Sequence, residues 1–501
     1  MTRAPADRDA ADDRAPADRH AALDPRRAAR ASVFALVATA IEKGGAMLLL
    51  LLIARTLGAE DFGRYAALMA LVAFAQLAAE FGQEPVLVRL LAQRSGGDAA
   101  RLVDGALAMR LAFALVAGTV LVVVGVRLVP VGVPPLALAA AGVVAASGAV
   151  LRALFRTRHR LERLCVVALA NVTVFATMLA IARALALGLT GVVGAWSLGQ
   201  LATSVAAVVV ARRSQPVRPR WRGAVTATLA RSGWALALNG VLLTVTLRVG
   251  QLVVLRFAGA EQSGYLAAGS RLAEAFALVP EALMLVLLPA LSAYDVAARE
   301  AQRALSVRVV RWLGLLALTV VVAVSIAAPT LVALLFGARY LPAVPALRIS
   351  IWLAVLSATG AVFTNLLIAR GLERVLLAIN VATSAITVGL SLLVVPRFGF
   401  VGAAAVSLGA SVVSQVALAV LPATRREVRA CVRPLRGPGA LAFGLVLAGT
   451  TLPGEPLLRA LAATVVFLAG SVALGAFAAD DWATLRRMRV PSATGSDGTL
   501  N

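Results

Sequence analysis

Cysteine and histidine are nearly absent from this sequence, with two of each in 501 residues. Cys165 and Cys431 share no spacing motif, and His20 and His159 cannot complete a ligand set with them. A disulfide framework, a metal centre and other cofactors are therefore not expected. Charged residues make up only 15%, too few for a water-soluble domain, where about a quarter is usual. Lysine occurs once, at Lys43, against forty-seven arginines. The hydrophilic stretches hold no Gly-rich phosphate loop or dinucleotide fingerprint, which removes the common nucleotide-dependent enzymes. Alternating ten-residue strands are missing too. Ala46 to Ala54 and Leu315 to Ala328 run apolar without a period of two, which excludes an outer-membrane barrel.

What is present is hydrophobic: 60% of residues, with a mean hydropathy of +0.88. A hydrocarbon core about 30 Å thick takes about 20 residues of helix. Fourteen such windows fit the chain, the first over 31–55 and the last over 457–478. The reading is an all-α, polytopic membrane protein with both ends on one side. A net charge of +23 would suit a nucleic-acid binder if the arginines formed one patch. They alternate instead. Thirty-five lie in the N-terminal stretch and in the connectors on its side, among them Arg152 to Arg163, Arg212 to Arg222 and Arg425 to Arg436, and seven lie in the opposite connectors. By the positive-inside rule this places both termini in the cytoplasm, in a bacterial inner membrane, and no nucleic acid is needed to explain the charge. Residues 1–30 mix seven arginines and six aspartates with alanine and proline, and read as a disordered cytoplasmic tail rather than a signal peptide.

The chain also repeats itself. Gly58-Ala-Glu-Asp-Phe-Gly-Arg-Tyr-Ala-Ala67 recurs as Gly259-Ala-Glu-Gln-Ser-Gly-Tyr-Leu-Ala-Ala268. Leu161-Glu-Arg163 with Asn171 recurs as Leu372-Glu-Arg374 with Asn380, and Gly191-Val-Val-Gly-Ala195 as Gly399-Phe-Val-Gly-Ala403. Three matches in order indicate duplication of a six-span unit, and an even number of spans gives both copies one orientation. The expected layout is an N-lobe over 31–211, a basic linker over 212–232 and a C-lobe over 233–422. A basic loop over 423–438, an added helix pair over 439–478 and a tail over 479–501 follow.

Four stretches carry a family resemblance: Ala54-Arg-Thr-Leu-Gly-Ala-Glu-Asp-Phe-Gly-Arg-Tyr65, Leu335-Phe-Gly-Ala-Arg-Tyr-Leu-Pro-Ala-Val-Pro-Ala-Leu-Arg348, Gly371-Leu-Glu-Arg374 with Asn380, and Pro396-Arg-Phe-Gly-Phe-Val-Gly-Ala-Ala404. Over about residues 31–422 the chain resembles the oligosaccharide flippases (polysaccharide transporters) of the multidrug/oligosaccharidyl-lipid/polysaccharide exporter superfamily. The resemblance implies two six-helix lobes around a central cleft that opens alternately to either face, moving polyprenyl-pyrophosphate-linked sugars outward. It implies as partners the lipid-linked oligosaccharide, the bilayer and polysaccharide-assembly proteins, with a single chain as the working unit. The added helix pair also resembles the fourteen-span lipid II flippases. Leu49 and Leu50 stand about where those carry a basic and an acidic residue.

A carrier of a diphosphate needs cations where desolvation would otherwise be prohibitive, so charges within the spans are the candidates. Lys43 and Arg271 lie near the midplane and Arg248 in the outer half of its span, and these three are the expected pyrophosphate ligands. Ion pairing that merely locks helices is the rival reading, with Glu42 beside Lys43 and Glu274 three residues after Arg271. Glu42, Glu274 and Glu281 are candidates for ion coupling or a gate, with Pro280 inviting a kink. Arg110, Arg183 and Arg348, close to span ends, are expected to snorkel. Gln76, Glu80, Asn171, Asn239 and Asn380 read as interhelical hydrogen-bond partners. A cation-coupled multidrug exporter remains the rival function. A membrane glycosyltransferase or polymerase is disfavoured because every outer connector is short, so no enzyme activity is expected.

Overall fold

A computed structural model gives the fold over residues 25–94, 96–158, 160–213, 217–276, 299–369, 372–422 and 424–476. His20, His159, Pro280 and Glu281 lie outside these described residues, as do residues 1–24 and 477–501. All regular structure among the described residues is helical. The first half of the chain holds α1 (Pro25–Glu80), α2 (Gln83–Ala92), α3 (Gly96–Leu128) and α4 (Val133–Ala145), which leads through a 3₁₀ helix (Ala146–Leu151) into α5 (Arg152–Thr157). It closes with α6 (Glu162–Ala184) and α7 (Gly188–Arg212). The second half holds α8 (Gly223–Ala258), α9 (Ala260–Phe276), α10 (Arg299–Leu335), α11 (Val344–Ser350), α12 (Leu353–Ala369) and α13 (Glu373–Val420). After them come α14 (Arg425–Val432), α15 (Arg436–Thr451) and α16 (Pro456–Ala473).

Ten helical segments among the described residues are long and apolar enough to cross a membrane. Two of these are double. A straight helix of 56 residues would be about 84 Å long, far more than one crossing. The backbone of α1 leaves the helix at Gly58, and that of α13 at Gly399, so each holds two crossings. Of the fourteen expected spans this leaves two, where α9 and α15 are 17 and 16 residues long and the expected span 263–291 runs beyond the described residues. Gly58 adopts φ 79°, ψ 174° and Gly259 adopts φ 93°, ψ 172°, a region open in practice only to glycine. The repeat seen in the sequence is thus a repeat of backbone geometry. Gly132 (φ 76°, ψ 170°) and Gly337 (φ 101°, ψ 159°) form a second matched pair that the sequence reading did not single out.

The third sequence match shifts by three residues. Gly399 has φ 57°, and its counterpart in conformation is Gly188, at φ 56°, while Gly191 sits inside α7. Two overlapping Gly-x-x-Gly patterns start at Gly188 and Gly191, so the letters alone allow either register. The backbone selects the one with the same offset as Leu161 and Leu372. Two boundaries also differ from the expected layout. Helix α8 begins at Gly223, inside the expected linker, because nothing after Pro219 breaks a helix there. The preceding strand of chain is fastened to α3 by the Arg218 amide donating to Asp104 Oδ1 at 2.8 Å. Within the expected 423–438 loop, α14 buries Val428 and Cys431 while Arg425, Arg426 and Arg429 stay exposed, the pattern of an interfacial helix. The helix pair α15–α16 docks on α10, where Ala442 and Phe467 pack with Leu318, Val322 and Ile326.

The halves meet on the arginine-rich side, where Gly82 and Gly233 pack backbone to backbone and Leu229 joins Val86 and Leu102, and at the arginine-poor ends of their helices. A Cβ added to Gly63 would collide with the Ala260 carbonyl oxygen, and one added to Gly264 with the Ala59 carbonyl oxygen. These two contacts are repeat images of one another. Ser263 Oγ donates to Gly63 O at 3.1 Å across the crossing. Around it Tyr340 is fully buried, donates to Ala54 O at 2.8 Å, and lies edge-on to Phe62 with centroids 5.9 Å apart. Arg55 adds hydrogen bonds to the carbonyls of Leu334 and Leu335. The largest apolar cluster accordingly draws on both halves here, joining Ile53 and Phe62 to Ala267, Phe336 and Leu347.

Because no side chain fits at this crossing, Gly63→Val should leave the protein inserted but hold the arginine-poor ends apart. In a background without Cys165 and Cys431, a cysteine at Ala59 should react with an impermeant maleimide several times faster once Gly63→Val is introduced. Unchanged labelling would mean that the seam is dispensable for closure.

Candidate functional site

Arg248 and Glu274 reach each other because α8 and α9 turn back at Gly259, eleven residues after one and fifteen before the other. At 1.5 Å per residue both lie about 16–22 Å from the turn, near the middle of a bilayer. Arg248 Nη1 donates to Glu274 Oε1 at 3.1 Å, and its Nη2 to Oε2 at 3.4 Å. Arg271, one turn from Glu274 on α9, donates from Nη1 to the same Oε2 at 2.6 Å. One carboxylate therefore serves two guanidiniums, and the cluster carries a net charge of +1. Arg271 Nε is buried with no hydrogen-bond partner.

The three charges open on a cavity of about 300 Å³ inside the second half, between α8, α9, α11–α12 and both parts of α13. Gln251, Asn380, Ser407, Ser411 and Gln415 contribute to its polar wall. None of these was proposed as a ligand from sequence, although Ser407, Ser411 and Gln415 recur every four residues and so share one face of α13. Asn380 had been expected as an interhelical partner, and its Nδ2 donates to Asn239 Oδ1 at 2.7 Å. In the first half Asn171 Nδ2 donates to Gly199 O and Thr203 Oγ1 at 3.0 and 2.7 Å.

The charge is confined to one half. At the offset that relates Gly58 to Gly259, the counterparts of Arg248, Arg271 and Glu274 are Met47, Ala70 and Ala73. Duplication explains the shared scaffold and leaves these charges as something added to it.

Lys43 does not join the cluster. It lies exposed on α1, with no ion-pair partner among the described residues. Glu42 does not pair with it either, since neighbours on a helix point about 100° apart. Arg152 takes Glu42 instead, Nη1 to Oε1 at 3.0 Å. The expectation for Arg110 also changes. Rather than snorkelling it is 8% exposed, with Nη2 at 3.9 Å from Glu80 Oε2, and Nη1 is buried without a hydrogen bond. Its position on α3 directs it at α1 and not along the helix to the interface. Arg156 meets Glu84 at 2.5 Å nearby, so the first half has an ion-pair network of its own on its arginine-rich side. Arg183 is exposed as expected, and Arg348 Nε donates to Ser325 O at 3.1 Å.

The sequence model of the family described as polysaccharide biosynthesis protein matches residues 52–345, more than half of the chain. The chain belongs to this family. No curated protein matches the sequence. Among solved structures, the fold is similar to an inward-facing multidrug-resistance MATE family transporter of the MOP superfamily. That pair shares 15% identity over 80% of this chain and 99% of the other, with a TM-score of 0.62. It is similar also to the lipid II flippase MurJ in an inward closed conformation, at 11% identity over 91% of this chain and 99% of that one, TM-score 0.64. A MOP superfamily transporter from Pyrococcus furiosus matches at 15% identity over 81% and 96%, TM-score 0.53. At such identities the likeness is one of fold. Family and fold together make this chain a polysaccharide biosynthesis protein with many apolar helices and a fold like that of the MOP superfamily transporters.

Removing Glu80 would strand a buried guanidinium. Glu80→Ala should lower stability by on the order of 3 kcal/mol, the low end for a broken buried pair because Glu80 is still 33% exposed. Glu60→Ala, which breaks an exposed pair, should cost under about 1 kcal/mol. Melting of the detergent-solubilised variants compares the two, and equal losses would show that Arg110 does not depend on Glu80.

Proposed function

We propose that the protein carries a polyprenyl-diphosphate-linked saccharide from the cytoplasmic to the outer leaflet of a bacterial inner membrane, for export of a surface polysaccharide. The carrying observation is the net-positive cluster of Arg248, Glu274 and Arg271, at mid-depth and facing a cavity. Two guanidiniums present forked donors suited to the oxygens of a diphosphate, and in a medium poor in water such bonds are strong. Glu274 keeps the pair from standing as two uncompensated charges while no substrate is bound. In this reading it is the gate-like element of the site: an entering diphosphate competes with it for the same donors. Lys43, exposed on α1, is an outlying cation for the same anion, and Glu42 is tied to Arg152 on the arginine-rich side. Glu281 stays a candidate from sequence only.

The arginine-rich face is the cytoplasmic one in this scheme, and the lobes over 31–211 and 233–422 move about the seam at Gly63 and Gly264. Alternating access opens and closes that seam at the outer face. Export of an organic cation is disfavoured by the same cluster, since a site with net charge +1 repels it.

Reconstitution in liposomes containing a fluorescent polyprenyl-diphosphate oligosaccharide tests this, with translocation scored by an impermeant quencher. Wild type should flip the lipid, Arg271→Glu should fall to background, and Arg271→Lys should retain a reduced rate because an ammonium cannot fork. A wild type that leaves the lipid in place but exchanges a cationic dye would replace the proposal with the drug-exporter reading.

A further inference from the structure

The stretch 425–436 holds five arginines and a single acid, Glu427. Two of the five, Arg429 and Arg436, line a second cavity of about 360 Å³, apart from the one beside Arg248 and Arg271. Leu356 and Gln415 form the partition between the two cavities, with Gln415 Nε2 donating to Leu356 O at 3.0 Å. The walls come from α10, α12, α13, α14 and α15, and are largely apolar, with Leu318, Trp352, Val412, Val416 and Val432 among them. Thr359 spends its hydroxyl on Val355 O and Leu356 O of its own helix, at 3.0 and 3.2 Å. Val412 and Val416 are exposed within a membrane-spanning part of α13, so the cavity is a groove open sideways to lipid.

The charge at the groove's arginine-rich end is uncompensated. Arg429 Nε donates to Ala419 O at 3.2 Å, which ties the side chain to the end of α13, while its Nη atoms have no partner among the described residues. The Arg436 side chain has none there either. Glu427 faces away, lining a separate small cavity with Phe363 and Leu367. Val428 and Val432, four apart on α14, turn one face into the groove, and Arg429 stands beside that face. Apolar wall and open guanidiniums together select the ligand. An inorganic anion would leave the wall uncovered, and a bare hydrocarbon chain would leave the guanidiniums unmatched. A zwitterionic lipid brings its own cation, which two arginines repel. Basic pockets between membrane helices suit anionic head groups, whose phosphate accepts forked hydrogen bonds from arginine. We infer that this groove binds an anionic phospholipid of the leaflet on the arginine-rich side, with its phosphate at Arg429 and Arg436 and one acyl chain along Trp352, Val412 and Val416. At about 360 Å³ the groove is at the small end for a ligand site, so it takes the head group and the start of one chain and leaves the rest in the bilayer. Such a lipid touches α10, α12 and α13 on one side and α15 on the other, and so ties the added helix pair to the second half. The site does not depend on what the central cavity carries.

Native mass spectrometry of the full-length protein, delipidated in a non-ionic detergent, tests this with phosphatidylglycerol and phosphatidylcholine of identical chains. Phosphatidylglycerol should bind about thirtyfold tighter, the effect of two arginines at about fivefold each. Arg429→Gln/Arg436→Gln should remove most of that preference. Arg425→Gln/Arg433→Gln takes the same charge from the same stretch at positions that do not line the groove, and should leave the preference unchanged. Val416→Trp, which fills the groove without altering charge, should weaken phosphatidylglycerol binding while keeping both arginines. Equal binding of the two lipids by wild type, equal losses in the two arginine pairs, or undiminished binding by Val416→Trp overturns the site. Displacement of phosphatidylglycerol from wild type by an equal amount of undecaprenyl phosphate would assign the groove to a polyprenyl chain instead, and displacement by inorganic phosphate would reduce it to an anion site. Either result overturns the phospholipid proposal.

Discussion

On their arginine-poor side the two halves of this fold are joined by a crossing with no side chains in it. At Gly63 and Gly264 two helices approach until each backbone touches the other's carbonyl, Ala59 and Ala260. Small residues at helix crossings allow the dispersion contact that holds membrane helices together, since lipid offers apolar side chains no reason to leave it. Symmetry doubles the effect, because the second contact repeats the first through the internal duplication. The ring of Tyr340, Phe62 and Tyr265 about the crossing then has a fixed shape to pack against. The seam thus joins backbone contact to a ring of apolar side chains, between halves that are each packed by clusters of their own.

Against that symmetric frame the charges stand out as departures. Met47, Ala70 and Ala73 show that the matching helix pair at the start of the chain forms without charges at these three positions, so Arg248, Arg271 and Glu274 are not required by the architecture they occupy. A buried ion pair seldom adds stability over apolar residues of like volume. Keeping three charges where three apolar residues serve elsewhere is reasonable if something charged visits the site. The network of Glu42, Glu80 and Glu84 with Arg152, Arg110 and Arg156 differs in kind. Each acid there has its own base on another helix, no cation is left in surplus, and its effect is to brace the arginine-rich side of the first half.

Hydropathy alone gave the fold class, and arginine placement gave a single side to the basic connectors, because a bilayer constrains every span and every connector in the same manner. The repeat was legible where glycine is obligatory, at Gly58 and Gly259, and misaligned where two glycine patterns overlap, at Gly188 and Gly191. Arg248, Arg271 and Glu274 could be singled out since an ionisable residue amid apolar ones is conspicuous. The pairing of Arg271 with Glu274 was legible from their spacing, but the arrival of Arg248 beside them was not, because it depends on how far α8 and α9 run before and after Gly259. Arg110 was misjudged for a related reason: distance from a span end says nothing about which way a side chain leaves the helix. The serine and glutamine wall was hidden by its ordinariness, since hydroxyls on membrane helices usually bond back to their own turn, as Ser407 and Ser411 do.

Cavity and seam are closer than their separate descriptions suggest. Gln251 lines the cavity and donates to Ser263, through both its carbonyl and its hydroxyl oxygen, and Ser263 in turn donates to Gly63 at the crossing. Contiguity by itself is not coupling. For a ligand to bias the seam, it must interact differently with the closed and open forms. Parting the seam breaks the bond from Ser263 to Gly63, and the freed hydroxyl then needs a new acceptor in a region short of water. The amide of Gln251 is at hand, but the atom nearest Ser263 is its nitrogen, a donor. The orientation of that amide is therefore the feature through which a change in the cavity would alter the cost of opening at Ser263.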